Sequence, residues 1–101
     1  MNNQIAETIL QQLGGNKFIA MTGANSLGAE ENALSFRFPN KSGANTCRIT
    51  LNSLDLYDIQ FIRIRKKQGI PQFKTTAEHN NIYADQLQSI FTEETGLYTS
   101  L

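Results

Sequence analysis

Residues 54–67 read LDLYDIQFIRIRKK, the densest run of apolar and strand-forming residues in the chain. Tyr57, Ile59 and Phe61 alternate with polar residues, as in a strand that buries one face. From Ile62 onward the apolar residues fall on the opposite phase, with arginines between them. A strand changes the face that it buries only through a bulge, a twist or burial of both faces. We therefore predict a central strand with a bulge near Phe61 and Ile62, or with both faces buried there.

The same stretch ends in the only tight basic cluster of the sequence, RIRKK at residues 63–67. Two arginines that lie two positions apart on a strand project from the same face and can bind phosphate or carboxylate oxygens through paired hydrogen bonds. Arg37 and Arg48, on neighbouring predicted strands, would extend the cluster into a cationic stripe across an open sheet face. The candidate binding residues are Arg48, Arg63, Arg65, Lys66 and Lys67. A simpler interpretation is that the cluster keeps a strand end soluble and discourages edge pairing.

Length and charge limit the possible classes of protein. The chain has 101 residues, so we predict one domain over residues 1–101, which would bury roughly 65% of the surface that the unfolded chain exposes. The net charge is zero and the pI is about 6.6, so no global field directs the protein toward nucleic acid or an anionic membrane. The charge is nonetheless segmented, with a net −2 over residues 1–36, +6 over 37–74 and −4 over 75–101.

Hydrophobic periodicity and turn residues predict the remaining elements. The expected elements are a helix over residues 3–13, strands over 17–22, 33–38, 46–52 and 72–76, a loop over 23–32 and a second helix over 82–95. Short connections favour an antiparallel meander, because consecutive strands then pair with each other. We therefore predict an α+β fold. It consists of an N-terminal helix, a meander sheet of three to four antiparallel strands and a C-terminal helix, with both helices on one face of the sheet.

The residue types that carry enzyme chemistry are sparse. Cys47 and His79 are the only cysteine and histidine, and a zinc site needs about four ligands at close spacing. Cys47 is expected on the inward side of its strand, where a thiol is usually an inert apolar filler, and nothing in the sequence places His79 beside it as a base. The glycine-containing loop at residues 23–28 lacks the lysine and hydroxyl residues of a phosphate-binding loop. We therefore predict no enzyme activity, no metal and no cofactor.

The N-terminal residues and the apolar runs do not have the pattern of a signal peptide or a membrane span. Residues 1–4 are polar and lack the basic and then apolar order of a signal peptide. The longest apolar run is too short to cross a bilayer. We expect a soluble, cytoplasmic protein that has no membrane partner.

Five stretches together carry a resemblance to known proteins: LGGNKFIAMTGA at 13–24, LDLYD at 54–58, YADQL at 83–87, IFT at 90–92 and TGLYTSL at 95–101. They resemble segments of a widespread family of short bacteriophage and mobile-element proteins of uncharacterised role. Similar segments also look like accessory domains within large phage and plasmid polyproteins. The resemblance implies an accessory or counter-defence role in mobile DNA, within the cytoplasm of the host cell, and it carries over no catalytic residues.

These observations favour a small non-enzymatic accessory protein that binds a host or element protein, with inhibition of a defence system as one form of that role. The alternative is a nucleic-acid-binding module that uses the basic sheet face and strand end. The helix–strands–helix order is similar to the double-stranded-RNA-binding domain, but the lysine motif of that family is replaced by EHNN at residues 78–81. A third interpretation is a structural piece of a phage assembly.

Overall fold

The computed structural model describes residues 4–40 and 43–99, and within these ranges the chain forms five strands and three α-helices. The helices are α1 (Gln4–Leu13), α2 (Asn16–Thr22) and α3 (Leu87–Thr95), the last preceded by a 3-10 turn at Ala84–Gln86. The strands are β1 (Asn25–Ala29), β2 (Ala33–Arg37), β3 (Thr46–Leu51), β4 (Tyr57–Lys67) and β5 (Ile70–Ile82). They pair in chain order as one antiparallel sheet. The α+β class and the antiparallel meander are confirmed, but the described sheet has five strands rather than three to four.

Apolar and polar side chains alternate along each strand, and this alternation decides which face of the sheet the helices cover. Residues of β2, β3 and β4 that pair across the sheet are buried together, as in the row formed by Leu34, Ile49 and Ile59. The residues between them, such as Arg48 and Gln60, point to the other face, which no described helix covers. We call these the helix-covered face and the open face.

A cluster of phenylalanine rings joins the helices to the helix-covered face. Phe91 of α3 contacts the rings of Phe18, Phe36, Phe38 and Phe61 at centroid distances of 5.2 to 6.3 Å. Because these rings come from two helices and from β2, β4 and the residue after β2, the cluster connects distant parts of the chain. Because α1 joins the same core through Ile9 and Leu13, three described helices, rather than the two expected, pack on one face of the sheet.

The predicted strand over residues 17–22 is wrong, because this segment forms α2. Gly14 and Gly15 have φ of 127° and 60°, a conformation open mainly to glycine, and they turn the chain so that α2 follows α1 directly. Phe18 and Thr22 are both buried and lie four residues apart, which is the spacing of one helical face. A short apolar run does not distinguish a buried strand from a buried helix, and here packing selected the helix.

The predicted loop over residues 23–32 contains β1, an edge strand whose side chains are almost all exposed. It lacks the apolar alternation that identifies a strand, and it is held through pairing with β2 across an irregular register. At the opposite edge, the short strand expected at residues 72–76 is the 13-residue β5. Neither edge strand buries a full face, so neither could be delimited from hydrophobic periodicity.

The bulge predicted near Phe61 and Ile62 is confirmed in position. Phe61 pairs with Ala77 and Ile62 with Thr75, so one step along β4 spans two steps along β5. The extra residue, Thr76, therefore lies on β5, and β4 itself keeps its alternation. The apolar residues of β4 beyond Phe61 consequently point to the open face.

The ends of the helices agree only in part with the prediction. Position 3, where the first helix was expected to begin, lies outside the described residues, and α1 is described from Gln4. The second helix was expected from residue 82, but β5 continues to Ile82. Gly96 ends α3 with φ of 76°, and its N–H donates to the carbonyl of Thr92 at 2.8 Å, as expected of a glycine stop.

Candidate binding surface

Strands β4 and β5 extend beyond the core as a two-stranded arm, which we define as residues 62–75. The last core residue on β4 is Phe61, and the corresponding residue on β5 is the half-buried Ala77. No described residue of the arm is buried, and residues 70–76 are all exposed. Gln68 and Gly69 join the strands with φ of 55° and 79°, the backbone of a two-residue type I′ turn. The arm is therefore a regular hairpin that carries its side chains into solvent.

Two residues hold the base of the arm against the connection between β2 and β3. The Asn45 side chain accepts a hydrogen bond from the Ile64 N–H and donates one to the Ile64 carbonyl, both at 2.9 Å. The Nη1 atom of Arg63 donates to the carbonyls of Asn40 at 3.0 Å and Gly43 at 3.1 Å. The arm is consequently tied to the domain at its base, and only the segment beyond Ile64 projects freely.

The arm has two chemically different faces. Paired residues of an antiparallel hairpin point to the same side, so Arg63 and Lys74 share a face, as do Arg65 and Gln72. This basic face comprises Arg63, Arg65, Lys67, Gln72 and Lys74, together with Ile70, which pairs with Lys67 at the tip. The apolar face comprises Ile62, Ile64, Pro71 and Phe73, with Lys66 near the tip. Phe73 is 70% exposed.

The expected cationic stripe across the sheet does not form. Arg63 and Arg65 do project from one face of β4, as predicted, but that face lies on the helix-covered side of the sheet. Arg37 and Arg48 point to the open face, because their neighbours Phe36 and Cys47 are buried. The candidate site residues are therefore divided between two faces.

Arg48 is also neutralised by a specific partner. Its Nη2 atom lies 2.5 Å from Oε2 of Glu30, and its Nε donates to Oε1 of the same carboxylate at 3.3 Å. This paired hydrogen bond lowers the pKa of Glu30 and raises the pKa of Arg48, so both groups stay charged at neutral pH. Arg48 thus joins β3 to the turn between β1 and β2, and its guanidinium is already engaged by a carboxylate.

The basic face borders a surface cavity of about 470 Å³. Its lining residues are Gly43, Arg63, Arg65, Gln72, Phe73, Lys74 and Thr76. The side chains of Arg65, Lys66, Lys67 and Lys74 form no hydrogen bond or ion pair with any described residue, so their charges are available to a ligand. The cavity is large enough for one or two carboxylate or phosphate groups.

Cys47 and His79 lie apart and have separate surroundings. Cys47 is fully buried on β3, and burial raises the pKa of its thiol far above the usual range. His79 lies on β5, on the other side of β4, and its Nε2 atom is 2.9 Å from a carboxylate oxygen of Glu94 in α3. The structure therefore provides no nucleophile–base contact between Cys47 and His79.

Two kinds of feature are absent from residues 4–40 and 43–99. Within these ranges, no three His, Cys, Asp or Glu side chains come close enough to hold a metal ion. No described helix is long and apolar enough to cross a membrane.

Phe73 and Lys74 are among the residues of this surface that sequence reasoning missed. The short edge strand expected at residues 72–76 contains both, and its alternation already separates Gln72 and Lys74 from Phe73. What the pattern could not show is the register with β4, which places Lys74 beside Arg63 and Phe73 beside Ile64.

The chain matches no protein-family model, no curated protein and no solved structure.

Proposed function

We propose that the protein is a non-enzymatic binding module whose β4–β5 arm docks a partner protein. The observation that supports this is the exposure of the arm: Phe73 and Ile70 are 70% and 64% exposed and contribute nothing to the core. Contiguous exposed apolar groups mark interaction sites, and aromatic residues and arginine are enriched at protein interfaces. A hairpin tied at its base is also preorganised, which lowers the entropic cost of binding.

The resemblance to phage and mobile-element proteins supports a partner from the host cell or from the element itself. Within this proposal, the protein is an accessory factor in the host cytoplasm, and inhibition of a defence protein is the role that the resemblance favours.

Site-specific photo-cross-linking tests the proposal. The residue p-benzoylphenylalanine is placed at Phe73 and, as a matched control, at Tyr98, which is 69% exposed. Irradiation in lysate of the host should cross-link one protein from position 73 and none from position 98. That protein, once purified, should bind the wild-type chain and lose about tenfold or more in affinity with Arg65→Glu, because a charge-assisted contact is worth about 1.5–3 kcal/mol. Equal capture from both positions, or none from position 73 in repeated lysates, would contradict the proposal.

A second candidate, nucleic-acid binding by the arm, is favoured by one specific observation. Residues 59–77 contain five basic residues and no acidic residue, and Phe73 stands exposed beside them. A two-stranded ribbon fits the major groove of duplex DNA, and exposed aromatic rings stack on unpaired bases. Against it stands the net charge of zero, because nucleic-acid-binding domains usually have a pI above about 9.

Electrophoretic shifts at low salt test this candidate on duplex DNA, single-stranded DNA and RNA. Binding through phosphates requires that affinity fall with salt, with a log–log slope of about −0.9 per contacted phosphate on duplex DNA. Lys66→Ala should then reduce that slope by about one unit. The absence of a shift on all three probes would eliminate nucleic acid as the ligand.

A further inference from the structure

We infer that the free edge of β5 binds an extended acidic segment of the partner, which adds to the sheet as a further strand and alternates acidic with apolar residues. This inference rests on the proposed function, that the arm docks a protein, and it specifies the chemistry of what is docked. Four observations carry it: the open edge of β5, the limits of that edge, its charge and the two faces of the arm.

Within the described chain, β5 pairs with β4 on one side and with no strand on the other. An edge strand presents unpaired N–H and carbonyl groups, and an extended peptide can add to it through main-chain hydrogen bonds. Residues 70–76 are exposed throughout, so this part of the edge is accessible.

The pairable part of the edge is short and well delimited. Pro71 has no N–H to donate, and the extra residue Thr76 interrupts the regular ladder. A regular added strand therefore pairs along residues 72–75, beside the cavity that Arg65 and Lys74 line.

The charge of the arm determines which kind of strand can pair with the free edge of β5. A second copy of this chain, paired edge to edge along residues 72–75, would bring two copies of Lys74 and Arg65 together, and like charges at such an interface are repulsive. An acidic segment has the opposite sign and meets cations that have no partner within the described chain. Lys74 thus opposes pairing with a second copy of the chain and favours pairing with an acidic strand. Repulsion of one partner and attraction of another together make the edge specific.

The two faces of the arm then impose a period of two on the segment. Side chains of an added strand alternate between the faces, as in any strand. Side chains of the added strand on one side lie beside Gln72 and Lys74 of β5. Arg65 lies on β4, one strand further from the added strand, but its side chain is long enough to reach a carboxylate there. Those on the other side lie beside Phe73, whose exposed ring favours an apolar neighbour. We therefore expect recognition of the pattern acidic–apolar–acidic–apolar in an extended conformation.

Fluorescence anisotropy with synthetic peptides tests this inference on the full chain. The probe is a fluorescein-labelled peptide that alternates glutamate and valine. A peptide of the same composition with all glutamates before all valines removes the alternation. A third peptide has the alternating sequence with N-methyl groups on alternate amides, which keeps the side chains and removes the main-chain donors on one edge. The alternating peptide should bind about tenfold or more tightly than the N-methylated peptide, since two or more hydrogen bonds of about 1 kcal/mol each are lost there. It should also bind about tenfold or more tightly than the block peptide, which cannot place glutamates and valines on opposite faces and so loses a charge-assisted contact of about 1.5–3 kcal/mol.

Two variants locate the site. The double variant Arg65→Glu, Lys74→Glu should reduce binding of the alternating peptide by about tenfold or more, because each lost charge-assisted contact is worth about 1.5–3 kcal/mol. Arg37→Glu, an exposed change on the open face, is the matched control and should leave binding unchanged. A thermal melt confirms that both proteins are folded.

Three results would overturn the inference: equal binding of the block peptide, equal binding of the N-methylated peptide, or tighter binding of oligo-dT in the same assay. If position 73 cross-links a partner while the alternating peptide shows no preference, the arm docks proteins by another geometry. In that case the proposed function stands and the strand-addition inference fails. If neither experiment gives a positive result, both fail.

Discussion

Replacing Arg63 with alanine should destabilise the protein, whereas the same change at Arg65 should not. The two arginines lie two positions apart on one face of β4, so the alternation of the sequence predicts the same environment for both. Arg63, however, donates to the carbonyls of Asn40 and Gly43 and holds the base of the arm. The guanidinium of Arg65 forms no hydrogen bond or ion pair with the described residues.

The expected magnitudes follow from these contacts. A hydrogen bond from a charged group contributes about 1.5–3 kcal/mol. Arg63 is only half-buried, and its carbonyl partners can bond to water once the side chain is gone, so the lower end of about 1.5 kcal/mol applies to Arg63→Ala. Arg65→Ala, an exposed change, should stay within about 0.5 kcal/mol.

Thermal unfolding followed by circular dichroism measures the difference. For a domain of about this length, 1 kcal/mol shifts the midpoint by about 4–8 °C, so Arg63→Ala should unfold about 6–12 °C lower and Arg65→Ala less than about 4 °C lower. Arg63→Lys should recover only part of the loss, because a lysine side chain is one atom shorter than the path to Nη1 and lacks the planar guanidinium that fixes the position of this donor. If the two alanine variants unfold at the same temperature, Arg63 does not anchor the base of the arm.

Further outcomes can be checked with the same protein. Phe91→Ala should cost about 3–5 kcal/mol in urea unfolding because it empties the centre of the aromatic cluster, while Tyr98→Ala, an exposed control, should change little. The Cys47 thiol should resist maleimide in the native protein and react fully only after unfolding, since it is buried and its pKa is raised by burial; rapid native labelling would contradict its placement. Asn45→Ala should speed hydrogen exchange at the Ile64 amide about fivefold, equivalent to about 1 kcal/mol for one lost hydrogen bond, and unchanged exchange would show that the side chain does not hold the arm.

Strands that bury one face could be predicted closely from the sequence. The alternation of Leu34 and Phe36 and that of Tyr57, Ile59 and Phe61 give the same inward faces in the structure. The phase change after Phe61 correctly indicated an irregular register, although the inserted residue lies on β5. These inferences succeeded because burial of one face repeats every second residue, and a period of two is a local property of the sequence.

Segments whose conformation depends on distant residues could not be predicted in the same way. The run at residues 17–22 has the composition of a strand, but packing of Phe18 against Phe36 and Phe91 makes it a helix. Strand β1 has almost no buried side chain, so only its pairing with β2 identifies it.

For the candidate surface, the sequence by itself determined that a basic cluster follows the core-forming part of β4 and that Arg63 and Arg65 share a face. Only the tertiary structure decided which cations are available. Arg48 is engaged by Glu30, and Arg63 by carbonyls of the connection between β2 and β3, whereas Arg65 and Lys74 line one cavity on the same face of the hairpin. The physical reason is that the alternation of apolar and polar residues along a strand can be seen in neighbouring positions of the sequence. The ion pair and hydrogen bonds described here, by contrast, join residues that are far apart in the sequence and that only folding brings together.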